Sequence, residues 1–485
     1  MPKRGDIVDL TIENYAFGGK GIAKFKEGEN FLIIFVQNGI PGQKVNAKIT
    51  KKKKSFAEAI IVEIITPSPL QIQHDYQPIS GAPYIDLPIE EQKNMKKQVC
   101  LEVFEKIGKL ENPSLYFDEW IASPTTHHYR NKMEYSFSCI EYDLSKKIVV
   151  DDAFALGFKR KGTWWMVENL NKDSGLFDKE LENKLYKIKN FLFESKFKAW
   201  HPPQKIGFFR HLVVRKSYYT NQLLFNLVTS SENKQVFDVA VFGEFLKKQF
   251  KDRLAGLIHT INDDVADREK LDKGASKLVL GSPTIIEKIN DLEFEISMQS
   301  FFQTNPKCAE KLYQKVIDYI LESSIPEDKF IMDLFCGTGT IAQLIAKAIN
   351  NKILGVDIVP SAIENAKNNA NKNQLSNIKF LCDDVGKFLL NNPNYNNKIH
   401  TIVLDPPRAG ITPKSLRKVI RLNADKIIYV SCNPATQARD LLTLHEMGYV
   451  LEKFSLIDQF PHTAHVESIM LFKKSAVKPI HDRTE

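Results

Sequence analysis

Residues 329–350 read KFIMDLFCGTGTIAQLIAKAIN. An apolar run leads into a glycine-rich turn, and a helix-like stretch follows that turn. The glycines at 337 and 339 let the backbone approach a ligand closely at the carboxyl end of the predicted strand. This stretch therefore predicts a strand, a ligand-binding loop and a helix, which together begin an open α/β sheet.

Strand–helix alternation continues from this stretch towards the C-terminus. The further apolar runs KILGVD, IKFLCDD, HTIVLD and KIIYVSC are separated by helix-like segments, and YVLEKFSLI and VESIMLFKK complete the series. Such alternation predicts a doubly wound parallel sheet. We therefore predict a Rossmann-like α/β domain over residues 296–485.

The N-terminal residues 1–62 have a different pattern. Five β-like runs recur at a spacing of about ten residues, with turn residues between them. This spacing predicts a small OB-like β-barrel. Lys51–Lys54 fall in its last turn, where they are either solvated or part of an edge that contacts phosphates.

The remaining residues, 63–295, mix strand-like and helix-like segments and are predicted to form a central α+β domain. A multidomain chain is expected because 485 residues exceed the size of one hydrophobic core. The topology of this central part does not follow from its sequence pattern.

The composition, 43% hydrophobic and 26% charged, is ordinary for a globular protein. No apolar run reaches 18 residues, and the start MPKRGDIVDL lacks the apolar stretch of a signal peptide, so no membrane span or secretion is predicted. The six cysteines show no zinc or redox spacing, so we expect reduced thiols, a cytoplasmic location and no metal site. The net charge of +8 permits a polyanionic partner without requiring one.

Carboxylates follow the second and third strands of the predicted sheet. Asp357 comes 20 residues after Gly337 and is placed to accept hydrogen bonds from ribose hydroxyls. Asp384 either reaches an adenine amino group or caps a helix. Ala342 replaces the third glycine of a GxGxxG motif, which weakens a dinucleotide interpretation and suits S-adenosylmethionine. We therefore predict a site for S-adenosylmethionine.

The next two strand ends carry further polar groups. Asp405 ends an apolar strand and opens the loop DPPRAG, which its prolines stiffen. Cys432 ends the following strand, and Asn433 and Pro434 suit the N-cap and first position of a helix. Because a thiol at the positive end of a helix has a lowered pKa, we interpret Cys432 as a nucleophile. The alternative is a small buried hydrophobic residue.

Glu467 lies in the apolar run VESIMLF, where a carboxylate is costly unless it is paired, functional or facing outward. C5 of a pyrimidine is too weakly nucleophilic to take a methyl group directly, but addition of a thiolate at C6 produces an enolate that can. A base must then remove the C5 proton so that the thiolate can leave. The residues predict a pyrimidine-C5 methyltransferase with Cys432 as nucleophile and Glu467 as base.

Motifs along nearly the whole chain resemble those of the RNA (uracil-5-)-methyltransferase family. The matching stretches are YRNK at 129–132, SFFQTN at 300–305, DLFCGTGT, DPPRAG, SCNPAT and DQFPHTAHVE. The last three, in this order and spacing, are highly specific. The N-terminal barrel resembles a TRAM domain, an RNA-binding module of the ribosomal-RNA branch that bacterial transfer-RNA members typically lack. The resemblance implies a monomeric enzyme that uses S-adenosyl-L-methionine to methylate uridine C5 in RNA, with 23S ribosomal RNA favoured.

The resemblance also implies roles for individual residues. Cys432 matches the family's nucleophile, Glu467 matches its base, and Phe301 and Phe302 are placed to stack near the target base. The residues that match cofactor-contacting positions are Gln303, Phe335, Thr340, Asp357, Asp384 and Asp405. A helix at about 89–120 is implied to pack on the catalytic domain. Candidate phosphate contacts are Arg130, Lys132, Arg210 and Arg215.

One departure from the family pattern concerns an iron–sulfur cluster. Many ribosomal-RNA members hold a cluster with cysteines just after the TRAM domain, where this chain reads ISGAPYIDL at 79–87. The fourth ligand position falls near Asp173, which is also not a cysteine. Because such a cluster needs thiolates, none is predicted. This departure weakens any substrate assignment taken from cluster-containing members.

Several alternative functions remain open at this point. A transfer-RNA uridine-C5 methyltransferase would use the same chemistry. Cytosine-C5 RNA methyltransferases usually have a Pro-Cys motif and lack the HVE base, which argues against that class. Intact Cys432 and Glu467 argue against a non-catalytic RNA-binding factor, and Ala342 argues against a nicotinamide dehydrogenase.

Overall fold

The computed structural model describes residues 2–27, 30–231, 237–264 and 275–475. The chain forms two compact units, each discontinuous in sequence. Unit 1 comprises Met1–Ile72, Tyr84–Pro124 and Lys307–Glu485, and unit 2 comprises Gln73–Pro83 and Thr125–Pro306. The predicted domains 1–62, 63–295 and 296–485 divide the chain by type of fold and stay a prediction.

The N-terminal part of unit 1 is a closed barrel. Its strands are β1 (Ile7–Ala16), β2 (Lys20–Glu27), β3 (Asn30–Gln37), β4 (Lys44–Lys52) and β5 (Phe56–Thr66), in the order β1-β2-β3-β5-β4. Alternate residues of β3 point inwards, so Leu32, Ile34 and Val36 are buried while Phe31 is exposed. The predicted OB-like barrel is confirmed.

The helix and strand that follow the barrel join the α/β part of unit 1. They are α1 (Ile89–Lys106) and β6 (Phe117–Ile121). On α1, Cys100, Val103 and Phe104 are buried in the core of the α/β sheet. The helix is shorter than the predicted 89–120. It ends at Lys106, and the chain then turns through Lys109, whose φ of 53° is left-handed.

Unit 2 is an α+β structure. Its strands are β7 (Lys132–Ser138), β8 (Glu141–Asp143), β9 (Ile148–Val150), β10 (Ala155–Lys159), β11 (Val167–Asn169), β12 (Phe209–Lys216), β13 (Leu223–Thr229), β14 (Leu254–Ile261), β15 (Ala275–Gly281), β16 (Thr284–Ile289) and β17 (Leu292–Ser297). Its helices are α2 (Lys179–Glu194) and α3 (Val239–Phe250). The strands form a sheet in the order β15-β14-β13-β12-β7-β10-β11-β8-β9, and β16 pairs with β17.

The C-terminal part of unit 1 is the predicted α/β sheet. Its helices are α4 (Pro306–Leu321), α5 (Thr340–Ala348), α6 (Pro360–Lys372), α7 (Val385–Asn391), α8 (Pro413–Arg421) and α9 (Pro434–Glu446). Its strands are β18 (Phe330–Leu334), β19 (Ile353–Asp357), β20 (Ile378–Cys382), β21 (Ile399–Leu404), β22 (Lys426–Ser431), β23 (Tyr449–Ile457) and β24 (Glu467–Lys474). Every residue of β21 and β22 is buried, as expected for strands covered on both faces.

The order of the strands locates the ligand-binding edge of this sheet. The order is β20-β19-β18-β21-β22-β24-β23-β6, in which β18 to β22 are parallel and β24 is antiparallel to both neighbours. The chain crosses outwards from β18 to β20 and then restarts on the other side of β18 with β21. Ligands of open α/β sheets bind at such a reversal, beyond the carboxyl ends of the strands. Here that edge carries the loops DLFCGTGT and DPPRAG.

Among the helices that the structure describes, none is long and apolar enough to cross a membrane.

Candidate active site

Strand register brings Cys432 and Glu467 together. β22 and β24 are antiparallel neighbours, and their last pair joins Ser431 to Ser468. Cys432 directly follows Ser431 and Glu467 directly precedes Ser468, and the carboxyl of Glu467 acts electrostatically on the thiol of Cys432. Two residues 35 positions apart in the sequence are therefore neighbours at the carboxyl end of β22.

The residue after Cys432 holds the loop that faces it. The Asn433 side chain caps α9 by accepting a hydrogen bond from Ala435 N at 3.2 Å, with Pro434 in the first turn. Its Nδ2 donates to the carbonyl oxygen of Arg408 at 3.0 Å. The cap predicted from the sequence is confirmed, and it also fastens the loop DPPRAG beside the thiol.

Arg408 is a charged member of the site that sequence reasoning missed. Its guanidinium hydrogen-bonds the thiol of Cys432 and acts electrostatically on the carboxyl of Glu467. The backbone around it is held by α9, since Arg439 donates to the carbonyl oxygen of Ala409 at 3.3 Å. The motif DPPRAG contains this arginine, but the direction of its side chain depends on how the loop packs against α9.

The thiol of Cys432 is held in its protonated form. Burial and the nearby carboxyl of Glu467 raise its pKa to about 11, and Arg408 offsets only part of this effect. The expectation that the helix would leave Cys432 with a lowered pKa is therefore wrong. Loss of water around the sulfur and two neighbouring acids outweigh the positive end of α9.

The carboxyls beside the thiol also prefer to be neutral. Burial, with a smaller contribution from Asp405, raises the pKa of Glu467 to about 8, and burial raises the pKa of Asp405 to about 7. Glu467 is 2% exposed, so it does not face outward from its strand. A carboxyl with a pKa near neutrality is a stronger base than an ordinary glutamate.

The glycine-rich loop forms the cofactor edge of the sheet. Phe335 adopts a left-handed φ of 66°, and a side chain at Gly337 would meet no atom within 4 Å. Asp357 ends β19 and accepts hydrogen bonds from Gly337 N and Val359 N, both at 2.9 Å. The carboxylate thus lies directly under the loop, where ribose hydroxyls are expected to bind.

Asp333 is a second residue that sequence reasoning did not select. It is fully buried at the end of β18, and its Oδ2 accepts a hydrogen bond from Ala342 N at 3.1 Å. Its Oδ1 has no hydrogen-bond partner among the described residues. Burial and the neighbouring Asp405 hold the pKa of Asp333 well above its usual range. An unpartnered buried oxygen at this edge is suited to a donor on a ligand.

Two other predicted cofactor residues have structural roles at this edge. Thr340 opens α5 and is 7% exposed. Asp384 caps α7, with Oδ1 accepting a hydrogen bond from Lys387 N at 2.9 Å. Asp384 is therefore a helix cap, as one of its two predicted roles requires. Its contact with an adenine group stays a prediction.

Gln303 lies in unit 2, in the segment between β17 and α4. Its carbonyl oxygen accepts a hydrogen bond from Asn131 Nδ2 at 3.1 Å, and Asn131 N donates to Thr304 O at 2.7 Å. The two phenylalanines before it differ: Phe301 is 67% exposed, whereas Phe302 is 5% exposed and packs against Phe294. The stacking of the exposed Phe301 on the target base stays a prediction, and the prediction for Phe302 does not fit its burial.

Two predicted phosphate contacts are buried. Arg210 is 0% exposed and donates to the carbonyl oxygens of Asn262 and Asp264. Arg215 is 3% exposed and donates to those of Met298 and Ser300. Their assignment as phosphate contacts is therefore wrong. The sequence shows that an arginine is present. It does not show that backbone carbonyl oxygens accept the hydrogen bonds of its guanidinium.

The described residues contain no group of three or more His, Cys, Asp or Glu that could hold a metal ion. Asp173, the position that matches a cluster ligand, instead accepts a hydrogen bond from Gly175 N at 2.8 Å and pairs with His128 Nε2 at 2.8 Å. The absence of an iron–sulfur cluster stays a prediction from the missing thiols.

Comparisons with known proteins show the family of this chain. Residues 3–62 match the TRAM domain, and residues 272–475 match the family described as tRNA (Uracil-5-)-methyltransferase. An uncharacterized RNA methyltransferase of Clostridium tetani is 37% identical over 472 residues, covering 96% of this chain and 98% of that protein. Another, of Caldanaerobacter subterraneus, is 36% identical over 475 residues, covering 97% and 100%.

A solved structure shows the same fold. The tRNA (uracil-54, C5)-methyltransferase of Pyrococcus abyssi, in complex with S-adenosyl-L-homocysteine, gives a TM-score of 0.68 at 23% identity, covering 96% of this chain and 100% of that chain. Fold and relatives together define an RNA methyltransferase with the S-adenosylmethionine-dependent fold. The chain belongs to the TRAM-containing RNA (uracil-5-)-methyltransferase family.

Proposed function

We propose that this chain methylates C5 of uridine in ribosomal RNA, with Cys432 as the nucleophile and Glu467 as the base. The observation that carries the proposal is the proximity of these two residues beyond the last β22–β24 pair, where Glu467 acts electrostatically on the thiol of Cys432 and Arg408 acts on both. A thiol and a carboxyl on one face, next to a nucleoside-cofactor loop, match the requirements of the reaction.

The chemistry assigns each group a step. The sulfur of Cys432 bonds to C6 of uracil, which places an electron pair on C5. S-adenosylmethionine, when bound, supplies the methyl group as a cation equivalent, and C5 takes it. Glu467 then accepts the proton from C5, the C5–C6 double bond re-forms, and Cys432 leaves as the thiolate.

Proton transfer must precede the attack. The raised pKa of Cys432, about 11, means that its sulfur carries a proton at neutral pH. Arg408 donates a hydrogen bond to that sulfur and therefore stabilises the thiolate once the proton has left. This proton is released to solvent before C6 is attacked, so that Glu467 in its ionised form remains able to accept the later proton from C5.

The residues at the cofactor edge fit S-adenosylmethionine. The unpartnered Oδ1 of Asp333 suits the positively charged amino group of the methionine part. The open space at Gly337 gives the backbone close access to the ligand, and Asp357 suits the ribose hydroxyls. The roles of Gln303, Phe335, Thr340, Asp384 and Asp405 rest on the family resemblance.

Ribosomal RNA is preferred as the substrate because of the N-terminal barrel, which matches the TRAM domain. Transfer RNA is the second candidate, since the matched family and the Pyrococcus abyssi enzyme both carry transfer RNA in their names. We expect a monomeric, cytoplasmic enzyme in either case.

The test uses S-adenosylmethionine labelled in its methyl group. Ribosomal and transfer RNA from cells lacking 5-methyluridine are incubated separately with the wild-type chain and with Cys432→Ala. We expect labelled 5-methyluridine in ribosomal RNA with the wild-type chain and only background with the variant. Label in transfer RNA alone would select the second candidate, and full activity of Cys432→Ala would overturn the mechanism.

A further inference from the structure

The catalytic carboxyl stands at one end of a hairpin loop. β23 and β24 pair up to Ile457 and Glu467, and residues 458–466 close the hairpin between them. Asp458 directly follows the partner of Glu467, and its backbone N donates to Ile121 O at 2.9 Å. The position of Glu467 therefore depends on how this loop, residues 458–466, is held.

A buried ion pair holds the start of the loop. Lys96 on α1 donates to Asp458 Oδ1 at 2.6 Å and to the carbonyl oxygen of Phe460 at 3.1 Å. The two charged side chains are only 2% and 3% exposed. Removing two charges from water is costly, so such a pair persists only with close geometry and further hydrogen bonds, both of which are present here.

A buried amide holds the middle of the loop. The Nε2 of Gln92, one turn before Lys96, donates to the carbonyl oxygens of Tyr84 and Leu87 at 2.9 and 2.8 Å. Its Oε1 accepts a hydrogen bond from His462 N at 2.8 Å. His462 has a left-handed φ of 65°, an unfavourable conformation for this residue that persists because its surroundings fix it.

We propose that Gln92 and Lys96 are positioning residues that fix Glu467 through the loop 458–466. They lie at positions i and i+4 of α1 and so share one face of the helix. This inference rests on the proposed role of Glu467 as base. A general base must lie within hydrogen-bond reach of its proton, and a misplacement of about 1 Å can cost about 10²-fold in rate.

The proposal separates two steps of the reaction. Cys432 is held by β22 and α9, whereas Glu467 is held by the hairpin loop to which Gln92 and Lys96 are hydrogen-bonded. Weakening these hydrogen bonds should leave attack by the thiol and methyl transfer largely intact. It should slow the removal of the C5 proton. The methylated RNA would then remain covalently bound to the protein.

The test compares Lys96→Met with the double variant Lys96→Met/Asp458→Asn. Lys96→Met leaves a buried carboxylate without its cation and is expected to lower stability. The double variant removes both charges with side chains of similar volume, and it also removes the hydrogen bonds from Lys96 to Asp458 and Phe460. For the double variant we expect a thermal midpoint near that of the wild type. We also expect release of 5-methyluridine RNA slowed by about 10²-fold, and denaturation-resistant protein–RNA adduct in excess of wild type.

Lys93→Met is the matched control, because Lys93 lies on the same helix and pairs with Glu90 at the surface. It should turn over like the wild type and form no excess adduct. Release at the wild-type rate by the double variant, or a loss of activity without adduct, would overturn the positioning role. Full activity of Cys432→Ala would instead overturn the proposed function, so the two failures are distinguishable.

Discussion

Glu467 and Cys432 are unusual side chains because both lie next to other acids, Glu467 buried and Cys432 half-buried. Glu467 is 2% exposed and Asp405 lies close enough to raise its pKa. Arg408 is the positive group that acts on both Cys432 and Glu467. At neutral pH the thiol of Cys432 and the carboxyl of Glu467 are therefore mostly protonated. Both groups must lose their protons before they can act in the proposed reaction.

The rate at which the methylated adduct is released should rise with pH. In the adduct Cys432 is already bonded to C6, so the ionisation that matters is that of Glu467, whose pKa is about 8. Below pH 8 we expect the logarithm of the release rate to increase by about one per pH unit, since each unit raises the ionised fraction of Glu467 about tenfold. The measurement is the single-turnover rate of 5-methyluridine release between pH 6 and 9. A profile that is flat across this range would contradict the assignment of Glu467.

Glu467→Gln should stabilise the protein above neutral pH. The folded-state pKa of about 8 lies above the unfolded value of 4.5, so between these values the folded chain holds a proton that the unfolded chain has lost. Wild-type stability therefore falls as pH rises, by up to about 1.4 kcal/mol per unit. Glutamine has no titrating proton, so the variant does not lose stability in this way as pH rises. Urea midpoints of both proteins between pH 5.5 and 8.5 should diverge as pH increases.

The control for that experiment is Glu446→Gln, which changes an exposed carboxyl at the end of α9. Its midpoint should differ from the wild type by the same amount at every pH. If the Glu467→Gln difference were equally constant, burial would not be what raises the pKa of Glu467.

The sequence predicted the chemical groups of the site better than their charge states. Cys432, Asn433 and Glu467 stand out because each breaks or ends an apolar run. The thiol pKa could not be predicted, since it depends on Glu467, which comes 35 residues later and is adjacent only through strand register. Arg408 and the unpartnered oxygen of Asp333 likewise depend on packing.

At the level of elements, α9 has two functions that meet at its N-cap. Asn433 satisfies Ala435 N at the start of the helix and also holds the carbonyl oxygen of Arg408. The helix therefore orients the loop that carries the positive charge. Local propensity accounts for the cap, but the contact with the loop requires β21 and β22 to be neighbours.

Asn433→Ala should reduce activity more than stability. Loss of an N-cap costs about 1 kcal/mol, but here the loop around Arg408 also loses a hydrogen bond. We expect a modest drop in the urea midpoint and at least about tenfold lower kcat. Asp238→Ala removes the N-cap of α3 in unit 2 and is the control, with a similar midpoint change and unchanged kcat. Equal kcat for the two variants would contradict the role of α9.

Elements with local signals were predicted well, and those defined by distant pairing were not. The strands β18 to β22 and the helices between them follow from alternation of apolar and helix-like segments. The insertion of β24 between β22 and β23, and the addition of β6 at the edge, are long-range pairings without a local signal. The end of α1 at Lys106 differs from the predicted end near residue 120 for a local reason, because a left-handed turn at Lys109 follows the helix.

On the scale of the whole molecule, the barrel carries four consecutive lysines, which form either a solvated turn or an edge that contacts phosphates. Lys51 and Lys52 end β4, and Lys53 and Lys54 form the turn before β5. Lys51 is more than half exposed, and its Nζ lies 3.5 Å from Glu58 Oε1. An ion pair this exposed is weak and leaves Lys51 able to bind another anion. These lysines are therefore available to phosphates.

Replacing Lys51, Lys52, Lys53 and Lys54 by glutamine should weaken RNA binding. Each phosphate contact that is lost lowers the slope of log K against log salt by about 0.7 for single-stranded regions. We expect a slope smaller by about 1–3 and an unchanged rate at saturating RNA. Filter binding between 50 and 200 mM salt measures this slope. An unchanged slope would show that the lysines form a solvated turn.

The three parts of the chain were predicted with unequal success. The barrel and the α/β sheet have regular spacing of apolar runs, and both were predicted with their fold class. For unit 2 the α+β class was predicted but the order of its strands was not, because β12 pairs with β7 across more than 70 residues and β10 inserts beside it. Pairings of this range depend on the packed core rather than on local pattern.

The central claim is that Cys432 bonds to uracil and that Glu467 is needed to release it. The most direct measurement is mass spectrometry of Glu467→Gln after incubation with S-adenosylmethionine and ribosomal RNA lacking 5-methyluridine. The predicted result is a denaturation-resistant adduct in which a methylated uridine is linked to the peptide containing Cys432. Free 5-methyluridine RNA at the wild-type rate, or an adduct on another cysteine, would contradict the claim.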